Sequence, residues 1–188
     1  VATDRVPYGV GMGWRPWPET MRRWRAESGM AEIDLEDILG FDRPVITPEL
    51  HAGIWPPFQE RVVEETAEWV VKRDARGITM RDRKDGGSIP EFIDYPVRTR
   101  EDWERLKAER LDPDAPGRIA ADLQSVAAKA VETGRAVHVG DYPWGVFGMP
   151  RDLMGVESFL MGFVMQPELI RDIMQHLTTL WISIWEKA

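Results

Sequence analysis

A chain of 188 residues is long enough for one domain with a sizeable hydrophobic core, and 43% apolar with 30% charged residues is the balance of a globular fold. Its 24 basic and 32 acidic residues leave a formal charge of −8, which excludes nucleic-acid binding of the kind that needs clustered Lys and Arg. The absence of cysteine excludes disulfides, thiol nucleophiles and zinc–thiolate sites within the chain. No apolar run approaches the ~20 residues of a membrane-spanning helix. No signal-peptide pattern is visible, so the expected location is cytoplasmic.

In chain order, residues 5–13 read as a short strand opening into a Gly-rich loop. Its Gly9-Val10-Gly11-Met12-Gly13 run lacks both GxGxxG spacing and the lysine of a phosphate loop. Pro18 fits the first turn of a helix from Glu19 to Glu27 that ends near Gly29, with Trp17 at its entry. A helical piece from Leu35 to Leu39 stops at Gly40, and Phe41 to Thr47 read as a strand weakened by Pro44. Around Ala75-Arg76-Gly77, alternating apolar and charged residues predict a β-hairpin, and Ile89 to Tyr95 add a third strand. Residues 66–97 are therefore expected to be a small antiparallel sheet inserted before a main parallel sheet. Residues 99–111 predict a capped helix, with Asp102 three positions after Thr99. A linker-like loop, 112–117, leads to an Ala-rich amphipathic helix over 118–133.

From Gly117 onward the alternation of helix, strand and loop is that of α/β structure. An apolar run at Ala136 to Val139 meets Gly140-Asp141-Tyr142-Pro143-Trp144, and two helical patterns follow. The second carries a broad apolar stripe that includes Leu169, Ile173, Leu177, Leu180, Trp181 and Ile184. The chain ends at Ala188 with no later segment to cover Trp181 and Trp185, so a repeating βα architecture interrupted part-way is expected. A full (β/α)8 barrel needs ~250 residues. The 188 residues are thus read as one domain, the first part of a TIM-type barrel.

In such a barrel the loops after the strands carry function. Two are readable: Trp14-Arg15-Pro16-Trp17, and Asp141-Tyr142-Pro143-Trp144. Arg15 is the candidate anion clamp, against the plainer role of stacking on Trp14 or Trp17. Asp141 is the candidate general acid or base, with Tyr142 beside it, against a loop-capping role for the carboxylate. Trp14, Trp17 and Trp144 are candidate pocket walls. The plainer reading of the nine tryptophans is a large aromatic core with helix-packing anchors. Of three histidines, His51 in Leu-His-Ala-Gly is the candidate ligand contact, His138 lies mid-strand and His176 is placed on the surface. They share no metal-ligand spacing, so no metal site is expected. Arg15, Asp141 and Tyr142 are expected to converge on one concavity.

A family resemblance rests on Gly140, Pro143-Trp144, the run Leu153-Met154-Gly155-Val156-Glu157-Ser158-Phe159-Leu160, and Pro167-Glu168-Leu169. Looser matches are Arg5-Val6-Pro7, Trp24-Arg25, Gly40-Phe41-Asp42, Asp94-Tyr95-Pro96-Val97 and Glu101-Asp102-Trp103. Together they resemble the N-terminal half of the uroporphyrinogen decarboxylase superfamily, which also holds the methylcobamide:coenzyme M methyltransferases. The resemblance implies part of a barrel enzyme that is incomplete as this chain alone. The decarboxylases' Arg-Gln-Ala-Gly-Arg motif after the first strand is absent. That absence turns the expectation toward the corrinoid-dependent methyltransferase-like branch, with a true decarboxylase-type lyase as the alternative. Zinc and a corrinoid would then belong to the complete enzyme and not to these residues. A third reading, from a different class, is a non-catalytic half-barrel that binds a small molecule. Such a chain would pair with a second-half subunit or self-associate.

Overall fold

The computed structural model describes residues 16–41, 45–86, 89–139 and 145–188. Among them the chain forms seven helices and one four-stranded antiparallel sheet. The first helix, α1 (Pro18–Ser28), has Pro18 in its first turn and closes on Gly29 in the left-handed conformation. A single turn and a half follows as α2 (Leu35–Leu39). The sheet is a meander of β1 (Arg61–Glu65), β2 (Trp69–Arg73), β3 (Thr79–Arg83) and β4 (Glu91–Asp94) in that spatial order. Between β2 and β3, the Asp74 carboxylate accepts the backbone N–H groups of Arg76 at 2.9 Å and Ile78 at 3.0 Å. Gly77 takes the positive φ of that turn, where a Cβ would meet the Phe58 ring at 2.8 Å.

The helical part holds most of the core. Helix α3 (Arg100–Arg110) starts at a reciprocal capping box: Thr99 accepts the Asp102 N–H, and the Asp102 carboxylate accepts the Thr99 N–H. An amphipathic α4 (Leu123–Glu132) begins five residues later than its Ala-rich pattern suggests. The chain then forms α5 (Gly145–Met154), α6 (Val156–Met165) and α7 (Pro167–Lys187), which pack on one another. Trp103, Leu106, Leu153, Phe159, Ile173 and Leu177 sit at the centre of this packing. The helical pattern before α7 is two helices and not one, because Gly155 breaks it at φ 80°.

The expected half of a (β/α)8 TIM-type barrel is overturned: the described residues form a small α/β fold whose sheet is antiparallel and open. Their sole parallel pairing is an isolated bridge between Ile46 and Val137, made by two backbone hydrogen bonds of 2.9 Å. The physical reason lies in Ala136–Val139. A barrel strand is buried on both faces, yet Ala136 and Val139 are exposed and Val137 is only half-buried. Phe41 to Thr47 contribute that one bridge and no strand among the described residues. With the barrel goes the structural basis for methyltransferase or lyase chemistry. Trp181 also corrects the expectation of two uncovered tryptophans. It is buried and donates its indole N–H to the Ala52 carbonyl at 2.9 Å, whereas Trp185 is half-exposed. No helix of the described residues is long and apolar enough to cross a membrane.

Candidate functional site

A cavity of about 240 Å3 lies between the 51–57 segment, the β2–β3 turn and α5. One wall is an aromatic pair. The His51 and Trp55 rings stack 3.8 Å apart and nearly parallel, at 6°. The charged part of the lining is Arg76 and Asp152, whose further partners Asp74 and Arg151 stand outside it. Arg76 donates from Nε to Asp74 at 2.7 Å and from Nη1 to Asp152 at 2.9 Å, and Arg151 donates to the other Asp152 oxygen at 3.1 Å. Two carboxylates and two guanidiniums thus alternate in a row of zero net charge. Ile54, Pro57, Met149 and Leu153 make the remainder apolar.

Each wall is held by structure outside it. The 49–58 segment has no regular secondary structure, so its shape depends on the 110–120 segment. The Ala120 N–H reaches the Glu49 carbonyl, the His51 N–H reaches Arg118, and the Trp55 N–H reaches Arg110. The Trp55 indole donates to Pro116 at 2.8 Å, and Gly117 leaves room for its ring: a Cβ there would meet Trp55 at 3.3 Å.

At the centre of this stitching is Arg118, the one buried charged or polar side chain in the core of the described residues. Its guanidinium donates to the carbonyls of Asp112 at 2.9 Å, Gly53 at 2.8 Å and Arg110 at 2.9 Å, and also to His51. Burial pulls it below its ordinary value, with the nearby Asp112 charge opposing. Phe58 carries two guanidinium groups against its ring, Arg73 at 4.5 Å and Arg110 at 4.1 Å from the ring centre.

Burial pushes the Asp152 carboxyl above its ordinary value, Arg76 pulling the other way and Asp74 adding to the rise. The same burial, with the Asp152 charge nearby, raises Tyr95. Asp152 is the one of the two that lines the cavity, and its shift is that of a carboxyl with little water around it. A neutral, half-dry pocket with one imidazole face and saturated ion pairs suits binding by shape and stacking. Among the described residues, no Ser, Thr, Tyr or Lys lines it.

Of the residues expected to act, His51 lines this cavity. Trp17 is half-exposed at the start of α1 and does not line it. Trp14, Arg15, Asp141, Tyr142 and Trp144 lie outside the described residues, as does their expected convergence. His176 is not a surface residue: it is half-buried, edge-on to Trp103 at 5.6 Å, with Nε2 3.3 Å from the Leu111 carbonyl. Sequence reasoning missed Trp55, Arg76 and Asp152. Arg76 was visible as a turn residue, but nothing local says that this turn meets α5, 76 positions away. No three His, Asp or Glu side chains of the described residues gather as metal ligands, so these residues do not fit a zinc ion. A corrin ring is far larger than the cavity. No family model matches the sequence, and neither a curated protein nor a solved structure matches the chain.

Proposed function

We propose that this chain is a ligand-binding module whose pocket takes a small, flat, uncharged molecule between the His51–Trp55 stack and the Arg76–Asp152 pair. The supporting observation is the cavity itself: aromatic on one side, apolar at its base, and lined by charges that already neutralise each other. Its volume, about 240 Å3, sits just below the ~300–1,000 Å3 of drug-sized ligand sites, which points to a single-ring or fused-ring compound. An anion would lose hydration and find both guanidiniums committed to carboxylates; a neutral amide or heterocycle loses far less. Of the readings that the sequence left open, this is the non-catalytic one, freed from its barrel. The cytoplasm is taken as its compartment.

Benzamide and benzoate are the probes, one neutral and one charged on the same ring. Benzamide should shift the His51 ring resonances in a saturable way, and benzoate should do so much more weakly. Replacing Ala75, a half-buried wall residue in the turn, by Leu should remove the benzamide response while leaving the fold intact. Tighter binding of benzoate, or an undiminished benzamide response in the Ala75→Leu protein, would refute the assignment.

A further inference from the structure

Helix α6 has the composition of a core helix and the position of a surface one. Its sequence, VESFLMGFVM, is apolar at all but Glu157, Ser158 and the small Gly162. A helix that is apolar around its circumference belongs in an interior. Only Phe159 and Gly162 of its ten residues are buried, and they form the stripe that meets α5 and α7. Gly162 allows that approach: a Cβ there would meet Ile170 at 2.7 Å. Val156, Leu160, Met161, Phe163, Val164 and Met165 are all exposed, Val164 by 78%. Phe147 of α5 joins them through a ring chain, Phe147 to Phe159 to Phe163, at 5.1 Å per step.

The size of this surface argues for a protein partner. The stripe that one facing helix can cover is Val156, Leu160, Phe163 and Val164, flanked by Phe147; five exposed side chains at roughly 100 Å2 each give about 500 Å2. Two such faces bury about 1,000 Å2 in total, the lower bound of a specific interface.

Its chemistry selects among partners. A steered partner of opposite charge would need ionic groups here, and Glu157 is the single ionisable side chain on α6. A helix that rests on a lipid surface carries Lys or Arg along its polar face, and α6 has none. A second copy brings a surface of the same area on which Glu157 is the single ionisable side chain of α6, even though each chain carries −8. Val156, Leu160, Phe163 and Val164 fall at i, i+4, i+7 and i+8, the spacing of a helix-packing stripe. In an antiparallel pairing about a two-fold axis at the helix centre each Glu157 lies opposite Val164 of the second copy. The two carboxylates are then offset by about 10 Å along the axes, on top of the ~8–10 Å between axes, which puts them beyond the ~8–10 Å screening length.

We infer that the α5–α6 face is the interface of a homodimer in which α6 packs antiparallel on α6 of a second copy. The test is the solution mass of the full chain by light scattering and sedimentation. The wild type should run at twice its 21.6 kDa chain mass. Val164→Glu, an exposed position in the isolated chain, should run at the single-chain mass with unchanged circular dichroism. Its dimer dissociation constant should rise at least about tenfold, since each interface would bury two carboxylates. Leu160→Cys gives a second readout in a chain without cysteine: oxidation should trap a covalent dimer in high yield. A wild type at single-chain mass at high micromolar concentration would overturn the inference. So would a Val164→Glu dimer as tight as wild type, or single chains that sediment with phosphatidylcholine vesicles.

Discussion

Replacing Arg118 by methionine should destabilise the fold and loosen one wall of the pocket while leaving the helical core in place. Methionine keeps most of the buried volume and removes the guanidinium. Four donated hydrogen bonds disappear, to the carbonyls of His51, Gly53, Arg110 and Asp112. Bonds to a charged donor contribute ~1.5–3 kcal/mol each, so the gross loss is about 6–12 kcal/mol. Against it stands the several kcal/mol needed to hold a guanidinium away from water, a cost that the downward push on its pKa reports. The expected net loss is ~3–4 kcal/mol, measured as the difference in unfolding free energy by urea titration. Lysine in place of arginine should recover less than half, because an ammonium is too compact to span four carbonyls on two segments. The loss should also be local. In the methionine protein the amides of His51 and Trp55, which reach across to the Arg118 and Arg110 carbonyls, should exchange faster with solvent. Ile173 and Leu177 amides in α7 should keep their protection relative to the new global stability. A methionine variant within ~0.5 kcal/mol of wild type would refute the reasoning, since it would mean that the carbonyls lose nothing when the guanidinium is removed.

Gly155→Ala should cost ~2–4 kcal/mol: the residue sits at φ 80°, ψ 152°, a glycine-only region, and a Cβ would meet the Tyr95 ring at 2.5 Å. Combining it with Tyr95→Ala should relieve the contact but not the backbone strain, and calorimetry on the double variant separates the two. Burial, reinforced by Lys107, holds His176 below the ordinary histidine value, against the pull of the Leu111 carbonyl and of Asp172 and Glu104. Its folded pKa is depressed, so its contribution is present above the ordinary value of about 6.5 and is lost as pH falls through the lower folded value. The chain should lose unfolding free energy on acidification below about pH 6.5, and a His176→Gln protein should lose less over the same interval. Asp152 runs the other way. Its raised folded pKa gives a contribution present below the ordinary aspartate value of about 3.9 and lost as pH rises through the higher folded one. Carbon NMR should find the Asp152 midpoint above that ordinary value, and higher still in Arg76→Met; a midpoint at or below it would contradict the dry-wall description.

Local signals in the sequence were read well where the cause is local. Pro18 and Gly29 bracket α1, and Thr99 with Asp102 opens α3. The turn at Asp74–Gly77 follows from a carboxylate that caps two N–H groups and a glycine with positive φ. The barrel fails for a reason that no window on the sequence contains. Ala136–Val139 has the apolar character of a parallel strand, but a strand forms only where a neighbour supplies a ladder of backbone hydrogen bonds along at least one edge. Among the described residues it has a single bridge to Ile46. Gly155 gives no local sign of a helix break, since it lies inside the motif Leu153–Leu160 and isolated glycines also occur within helices.

The site was less legible than the fold because its parts come from four distant stretches and several have unremarkable local roles. Arg76 looks like a turn residue, Asp152 like the polar face of a helix, and Arg118 like one more surface cation near a linker. What changes their meaning is placement. Leu153 and Met149 carry α5 into the core, and this turns Asp152 toward Arg76. The 110–120 segment closes over residues 49–53, and this strips water from Arg118. The apolar excess of α6 shows the converse. Its ten residues announce an interior helix in the sequence, and the folded chain supplies cover for two of them. A second copy packed on the same stripe would cover Val156, Leu160, Phe163 and Val164 and so remove most of the discrepancy between composition and burial. On this reasoning pocket and interface are separable: α5 turns Asp152 and Leu153 to the ligand cavity and Phe147 to the α6 face. Substitutions at Val164 should then leave benzamide binding unchanged per chain, whereas Arg118→Met should weaken it without changing the dimer mass.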